Sequence, residues 1–395
     1  MFVFSDFAKK VKLSRTDVEL DNIIFRLHYR VTFIFLMACT VLVSSRQFIK
    51  DHINCFSDKY LEHVIDTYCF FSTTFTVVKY HNSTSLLLSA AAHPGVGPYS
   101  GSEKIVHHNY YQWVPFVLFG QAILFYVPRM IWKKSDNGRL AAIVHQMRST
   151  RLIADEDRVI NGVKVESQKS RSDKVDWLSH MYISMSRFRV SRDWAMMLVL
   201  CEFLNGLNLL VQIWWTNVFL QGRFVDLGVH WWNSDEDYVD GVFPKVTKCT
   251  FHKYGASGNI QTHDTICIMS LNIINEKIYV LLWFWFIILF ALTSIGLFWR
   301  CLTLLFHNRS YAFNRLVWGE VSPGPALYSL DVETLTRELC FSDWMFLYYI
   351  GKNIDGRLFR LAVSQISLDL ARRRPNRLIK LEATNTEDDP KESFC

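Results

Sequence analysis

The chain has 395 residues, half of them hydrophobic and 15% aromatic, and a formal net charge of +6. That apolar content excludes a disordered or collagen-like chain, and the length excludes a small disulfide scaffold. Mean hydropathy is only +0.10, so the apolar residues must be concentrated, and four runs near the ~20 residues that cross a bilayer exclude a purely cytosolic protein.

Residues 1–26 precede the first run. Phe2, Val3, Phe4 and Phe7 cluster ahead of Lys9, Lys10 and Lys12, with Asp6 among them. No small-residue cleavage pattern follows, so the first span is expected to stay in the mature protein. Such a segment either lies on the inner leaflet, its lysines drawn to anionic lipid, or folds back into a pore mouth. The first span is expected at 27–48, with Val31–Val43 free of charge. The loop 49–110 carries Cys55, Cys69 and a glycosylation sequon, Asn82-Ser83-Thr84. The second span, 111–132, has Arg129 as the one charge in Trp113–Trp132. Pro115, set about a turn inside it, is expected to kink or widen the helix against the carbonyl of Tyr111. Tyr110, Tyr111 and Trp113 suit an interfacial belt.

The loop 133–193 reads as helical. Leu140, Ile143, Val144 and Met147 fall at i, i+3, i+4, i+7, as do Leu178, Met181, Tyr182 and Met185. The third span, 194–216, carries Glu202, Asn205, Asn208 and Gln212. The last three fall within about 60° of arc on a helix, with Glu202 at the edge. Lipid cannot satisfy these groups, so the stripe either packs against other helices or lines a conducting path. In the loop 217–277, β-compatible Val246–Phe251 alternates with Gly255, Gly258 and Asn259, which predicts a small sheet near the membrane. Cys249-x-x-His252 and His263-x-x-x-Cys267 imitate a zinc pattern. Disulfides are the stronger expectation, because Cys55, Cys69, Cys249 and Cys267 fall two in each of two loops. Spacing alone leaves three connectivities open.

The fourth span, 278–299, has no charge. The region 300–395 is helical in pattern over 330–372, with an apolar face at Leu358, Leu361 and Ala362. It either packs with the loop 133–193 into a helical cap or lies on the bilayer surface. The acidic end from Thr384 is expected to be disordered, and its last residues, Glu392-Ser393-Phe394-Cys395, resemble weakly a PDZ-type ligand.

Lys and Arg are unevenly placed: six in 1–30, fourteen in 129–193 and thirteen in 300–395, against five each in 46–110 and 217–278. The positive-inside rule then puts both termini and 133–193 in the cytoplasm and the other two loops outside. The basic balance is therefore an orientation signal, and no nucleic-acid partner is expected. No phosphate-binding loop, nucleophile motif or paired-carboxylate site stands out, so an enzyme, a cofactor or a metal centre is not expected.

The run Tyr110-Tyr111-Gln112-Trp113-Val114-Pro115-Phe116 resembles the signature of the innexins, the invertebrate gap-junction proteins. Four further stretches resemble that family: Lys248-Cys249-Thr250-Phe251 through Lys253-Tyr254-Gly255 to Cys267, Asn275-Glu276-Lys277-Ile278-Tyr279, Phe25-Arg26-Leu27-His28-Tyr29, and Gly351-Lys352-Asn353-Ile354-Asp355. Together they cover roughly 20–370. The resemblance implies an all-α membrane protein of four transmembrane helices, with disulfide-tied outer loops holding a small sheet and a helical cytoplasmic region. It implies the pairs Cys55–Cys267 and Cys69–Cys249, and Phe2, with Val3, Phe4 and Asp6, at the pore constriction. It further implies rings of eight, homomeric or mixed with other innexins, set in plasma-membrane lipid and docked to a ring on the adjoining cell. An undocked hemichannel releasing small metabolites, or a four-span adhesion or scaffold protein, are the alternatives.

Overall fold

The computed structural model describes residues 18–49, 53–56, 62–80, 93–99, 101–147, 153–154, 158–160, 163–321 and 327–384. Four of its helices are long and apolar enough to cross a membrane: Ile23–Gln47, Val114–Asp136, Val190–Phe219 and Ser270–Phe306. Only 28–39% of each hydropathic stretch is buried inside the protomer, so most of the apolar surface is left for lipid or neighbouring subunits.

The chain divides into two compact units, and the division falls within these long helices. The first unit comprises 24–128 and 204–295, the second 1–23, 129–203 and 296–395.

In the first unit, α1 opens as Ile23–Arg26, widens to a π-helix over Leu27–Thr32 and resumes as α-helix over Phe33–Ile49. The widened turn lets His28 and Thr32, both fully buried, bond the fourth long helix. His28 Nε2 meets Thr293 Oγ1 at 2.8 Å, and Trp285 Nε1 donates to Thr32 Oγ1 at 2.9 Å. Beyond α1 come strand β1, Asn54–Cys55, helix α2, Glu62–Ser72, and strands β2, Thr74–Val77, and β3, Ile105–His108. Helix α3, Val114–Asp136, begins after a 3₁₀ turn at Tyr110–Gln112.

The expectation for Pro115 is corrected here. It is the second residue of α3, in the first turn, where the missing N–H has no intrahelical acceptor to lose. The turn before it is tightened, with Trp113 N donating to Tyr110 O at 2.9 Å, and the widened turn belongs to α1 instead. The interior proline of α3 is Pro128.

A five-stranded antiparallel sheet in the order β1-β8-β7-β2-β3 is built around the hairpin of β7, Val246–Tyr254, and β8, Ile260–Ile268. The two strands pair without interruption from Val246↔Ile268 to Tyr254↔Ile260. Gly258, at φ +80°, supplies the positive φ of the connecting turn. Cys55 of β1 lies directly opposite Cys267 of β8 and is bonded to it, and Cys69 of α2 is bonded to Cys249 of β7.

The second unit packs helices of varied length around buried aromatics. They are α4, Arg139–Gln146, α5, Gln168–Arg187, and, after the long helices α6, Val190–Phe219, and α9, Ser270–Phe306, a run of four. That run is α10, Tyr311–Val321, α11, Ser329–Glu338, α12, Phe341–Asn353, and α13, Gly356–Thr384. Helices α7, Phe224–Trp232, and α8, Glu236–Val242, belong to the first unit.

Trp194 stacks edge-on against Trp132, Phe346 and Tyr349 with centroids 5.1–5.4 Å apart, and Trp318 meets Trp344 at 5.5 Å. Leu140, Ile143, Val144 and Met147 are all buried, as their spacing requires, so α4 packs as part of a helical unit. Two expected contacts are corrected. Met181 and Leu361 are exposed, and the buried faces run instead through Leu178, Tyr182 and Ile183, and through Leu358, Phe359, Ala362, Val363 and Ile366.

The region is not wholly helical. Strands β4, Ile153–Ala154, β5, Arg158–Ile160, and β6, Val163–Ser167, form a three-stranded sheet. Phe2, Val3, Phe4, Asp6, Asn82 and the last eleven residues lie outside the described residues.

Candidate functional site: the disulfide sheet and the charges in the spans

The cysteines of the Cys55–Cys267 and Cys69–Cys249 disulfides are all buried, and each of these two bridges joins residues far apart in the chain, 212 and 180 positions respectively. The pairing implied by the resemblance is the one the structure holds. Neighbouring polar groups brace the bridges. Asp66 Oδ1 accepts from Cys55 N at 2.7 Å, and Thr265 Oγ1 donates to Phe56 O at 2.5 Å. Among the described residues, the one close group of metal-type ligands is Cys55, Cys69 and Cys267, and all three sulfurs are taken up in disulfides. His252 and His263 sit on the hairpin, outside that group.

The hairpin is buried at its base and open at its end. Thr247, Lys248 and Cys249 are buried, whereas residues 260–264 of β8 are exposed. Lys248 is held at the base by Gly97 O at 2.9 Å and by Asp264 at 2.5 Å. Lys245 reaches Asp240 at 2.8 Å and the buried Glu276 at 3.6 Å. Its hydrogen bond to Asp240, outweighing partial desolvation, holds the ammonium above its ordinary pKa. Glu276 belongs to the Asn275-Glu276-Lys277 motif, so that motif ties the start of α9 to the residues just before β7.

The aromatic signature divides by exposure. Tyr110 and Tyr111 are buried, which corrects the expectation of an interfacial belt at these two positions. Tyr110 packs against Phe219 and Phe243, with centroids 6.3 and 6.0 Å away. The Tyr111 hydroxyl donates to Phe70 O at 3.1 Å, and Gln112 Nε2 donates to the same carbonyl at 2.6 Å. Phe70 follows Cys69 directly, so Tyr111 and Gln112 fasten the disulfide-bearing end of α2 to the start of the second span. Burial pushes the Tyr111 phenol up to about 12 and holds Tyr110 well above its ordinary value, so both stay neutral near pH 7. Trp113 and Phe116 are exposed and adjoin each other, 6.0 Å between centroids.

The polar stripe on α6 turns inward. Glu202, Asn205 and Gln212 are buried and Asn208 is half-buried. Gln212 Nε2 donates to Asn208 Oδ1 at 3.2 Å, and one turn further on Thr216 Oγ1 accepts from Gln121 Nε2 at 2.8 Å.

Glu202 has a partner that the sequence reading did not name. Arg300 donates Nε to Oε2 at 2.7 Å and Nη2 to Oε1 at 2.6 Å, a two-pronged pair, while Asn22 Nδ2 donates to Oε1 at 2.9 Å. Arg129 Nη1 reaches Asp21 Oδ1 at 2.7 Å. The signal for both pairs was present. Glu202 and Arg129 are isolated charges inside apolar runs, and Arg300 is the first charge after the charge-free fourth run. Charges placed so deeply require opposite partners.

The innexin family model matches residues 21–370. Innexin inx7 of Drosophila melanogaster is 42% identical over 374 residues, covering 92% of this chain and 84% of its own length. Innexin inx2 of Schistocerca americana is 38% identical, covering 93% of this chain and 98% of its own. Innexin shaking-B of Drosophila melanogaster is 35% identical, covering 95% and 96%.

Proposed function

The chain belongs to the innexins, a family of gap-junction channel proteins, and from that premise we propose how its parts divide the work. Innexins form oligomeric channels, homomeric or heteromeric, and are channel-forming rather than enzymatic. In the proposed arrangement eight subunits surround a central pore, and a ring on one cell docks to a ring on the next, passing ions and small molecules. Both termini, 133–193 and 300–395 face the cytoplasm, while 49–110 and 217–277 face outward, in line with the distribution of Lys and Arg.

The observation that carries this reading is the sheet. Two loops that flank different spans fold into one five-stranded layer, locked by two disulfides, with the end of its hairpin exposed. A rigid base with an open end suits a surface that meets an identical partner. The spans support a pore between subunits rather than within one. Inside the first unit, His28 bonds Thr293, Trp285 bonds Thr32 and Gln121 bonds Thr216. The narrowest point is assigned to Phe2, with Val3, Phe4 and Asp6 beside it, as an apolar collar able to gate by dewetting.

The sequon Asn82-Ser83-Thr84 favours a second reading, an undocked channel in a single membrane, because a glycan on an outward loop obstructs docking. Dual whole-cell recording separates the two. Current between paired cells supports docking, current in single cells alone supports the undocked channel, and no current in either defeats both.

A further inference from the structure

Only residues 220–223 separate the end of the long helix α6 from α7, and α7 lies against α9 rather than out in its loop. Trp283 Nε1 of α9 donates to Val225 O at 2.8 Å, and Gly228 lets the Trp283 ring come closer than a Cβ would allow. Trp231 meets Phe284 edge-on with centroids 6.0 Å apart, and Phe224 meets Phe286 at 6.2 Å. These partners fall inside the charge-free run 278–299. At 1.5 Å per residue, Trp283 stands about 9 Å along α9 beyond Lys277, the last charge before that run. A helix from a loop is therefore seated beside the span at an apolar depth.

Around α7 the side chains fall into three sectors. Phe224, Leu227 and Gly228 are buried against the unit. Asp226 and His230, with Asn233 at the C-cap, make a polar side, where His230 Nδ1 meets Asp235 Oδ2 at 2.9 Å. Val225, Val229 and Trp232 stand within about 60° of arc between those two sectors. They are exposed to 53%, 51% and 74%. Contact with the unit accounts for the first sector and water for the second, but neither accounts for three large apolar side chains in register. The neighbouring surface of α9 is of the same kind. Leu281 and Ile288, three positions before Phe284 and four after it, share its side of that helix and are exposed as well. A helix with one polar and one apolar open face suits the boundary between lipid headgroups and acyl chains, and tryptophan favours that level.

We propose that the face of α7 formed by Val225, Val229 and Trp232 is a lipid-binding surface, seated at the headgroup–acyl boundary of the outer leaflet. Lipid contact rests on the spans alone, whereas the choice of leaflet rests on the orientation proposed above. Helices α7 and α8 join α6 to β7, so lipid that holds α7 also sets the height at which the hairpin begins.

Photo-crosslinking of the full-length chain in cell membranes tests this, with benzoylphenylalanine in place of Val229 or Trp232, and in place of Asp226 as the polar-side control. At 232 one aromatic side chain replaces another, so that variant keeps the native bulk. Irradiation is expected to add phospholipid mass at 229 and 232, with the adduct lost at 226. Crosslinks to a second copy of the chain from 229 and 232, or no adduct at either position, overturn the proposal. Asn233→Cys, labelled on intact cells with a membrane-impermeant maleimide and compared with the unsubstituted chain, reads the orientation separately. Labelling is expected. Its absence, with lipid adducts retained, overturns the outer-leaflet assignment and the orientation behind it, and leaves lipid contact standing. Neither readout depends on current.

Discussion

The contacts seen among the described residues differ in kind between the two units. The first closes covalently, with disulfides between residues 212 and 180 positions apart supporting a sheet whose strands come from both loops. The second is held by buried aromatic rings and by carboxylates gripped in hydrogen bonds and ion pairs. Asp343, for example, accepts from Ser186 Oγ at 2.6 Å and from Ser191 Oγ, while Asp136 accepts from Trp194 Nε1 at 2.8 Å. A cross-link resists deformation because it constrains even the unfolded chain, whereas a polar network can exchange partners. The contrast suits a rigid docking surface in one unit and an adjustable mechanism in the other.

The largest effect is expected where the two chemistries are separated directly. Cys69→Ser removes one bridge and leaves Cys249 unpaired, at a cost of about 2–5 kcal/mol to the sheet. Limited proteolysis with intact-mass analysis should show new cleavage within 49–110 and 217–277, and none in the helices α10 to α13. Glu202→Ala is the matching break in the second unit. It leaves Arg300 buried without its carboxylate, at about 3–5 kcal/mol, and Glu202→Gln, which keeps an acceptor for Asn22 and Arg300, should cost less. Thermal unfolding of the detergent-solubilised protein gives that order, and equal losses would contradict it.

A smaller change sharpens the picture of packing in the first unit. A Cβ on Gly228 would lie 2.1 Å from the Trp283 ring, whose Nε1 is bonded to Val225 O at 2.8 Å. Gly228→Ala must therefore displace the indole and is expected to destabilise by about 1–3 kcal/mol, read as a lower unfolding midpoint with altered tryptophan fluorescence.

The smallest effect is a pH dependence belonging to the second unit. Partial burial holds His307, just beyond α9, below its ordinary value of 6.5. Its folded pKa is lower than its unfolded one, so the unfolded chain binds more protons in acid. Its contribution is therefore complete above pH 6.5 and is lost as pH falls from there towards the folded value. His307→Gln should flatten the unfolding midpoint between pH 7.5 and 5.5, and an unchanged slope would contradict this. Tyr111, in the first unit, stays neutral throughout that range.

Which features were legible in the sequence follows from the same physics. The four spans, the strands β7 and β8 and the buried face of α4 depend on composition and periodicity, which a chain displays directly, whereas the disulfide pairing followed from the resemblance and the strands β1 to β3 were not read. The sheet at 153–167 was missed because helical spacing flanks it on both sides, although Asn161-Gly162 between β5 and β6 is a strong hairpin signal. Pro115 was misplaced by about one turn because the helix start depends on the 3₁₀ turn at Tyr110–Gln112, which no residue pattern announced. The belt expected of Tyr110 and Tyr111 gave way to burial because the rings meet Phe70, Phe219 and Phe243, contacts that exist only after the loops fold. Glu202 was read as part of a stripe facing either other helices or a conducting path. Its pairing with Arg300 joins residues 98 positions apart, and periodicity does not reach that far.

The proposed function depends most on docking through the disulfide-locked sheet. Dual whole-cell recording tests it most directly on asymmetric pairs, one cell expressing the unsubstituted chain and the other Cys69→Ser, with surface abundance matched. Junctional current is expected when both cells carry the unsubstituted chain, and none when one carries the variant. Undiminished junctional current in the asymmetric pair would contradict it.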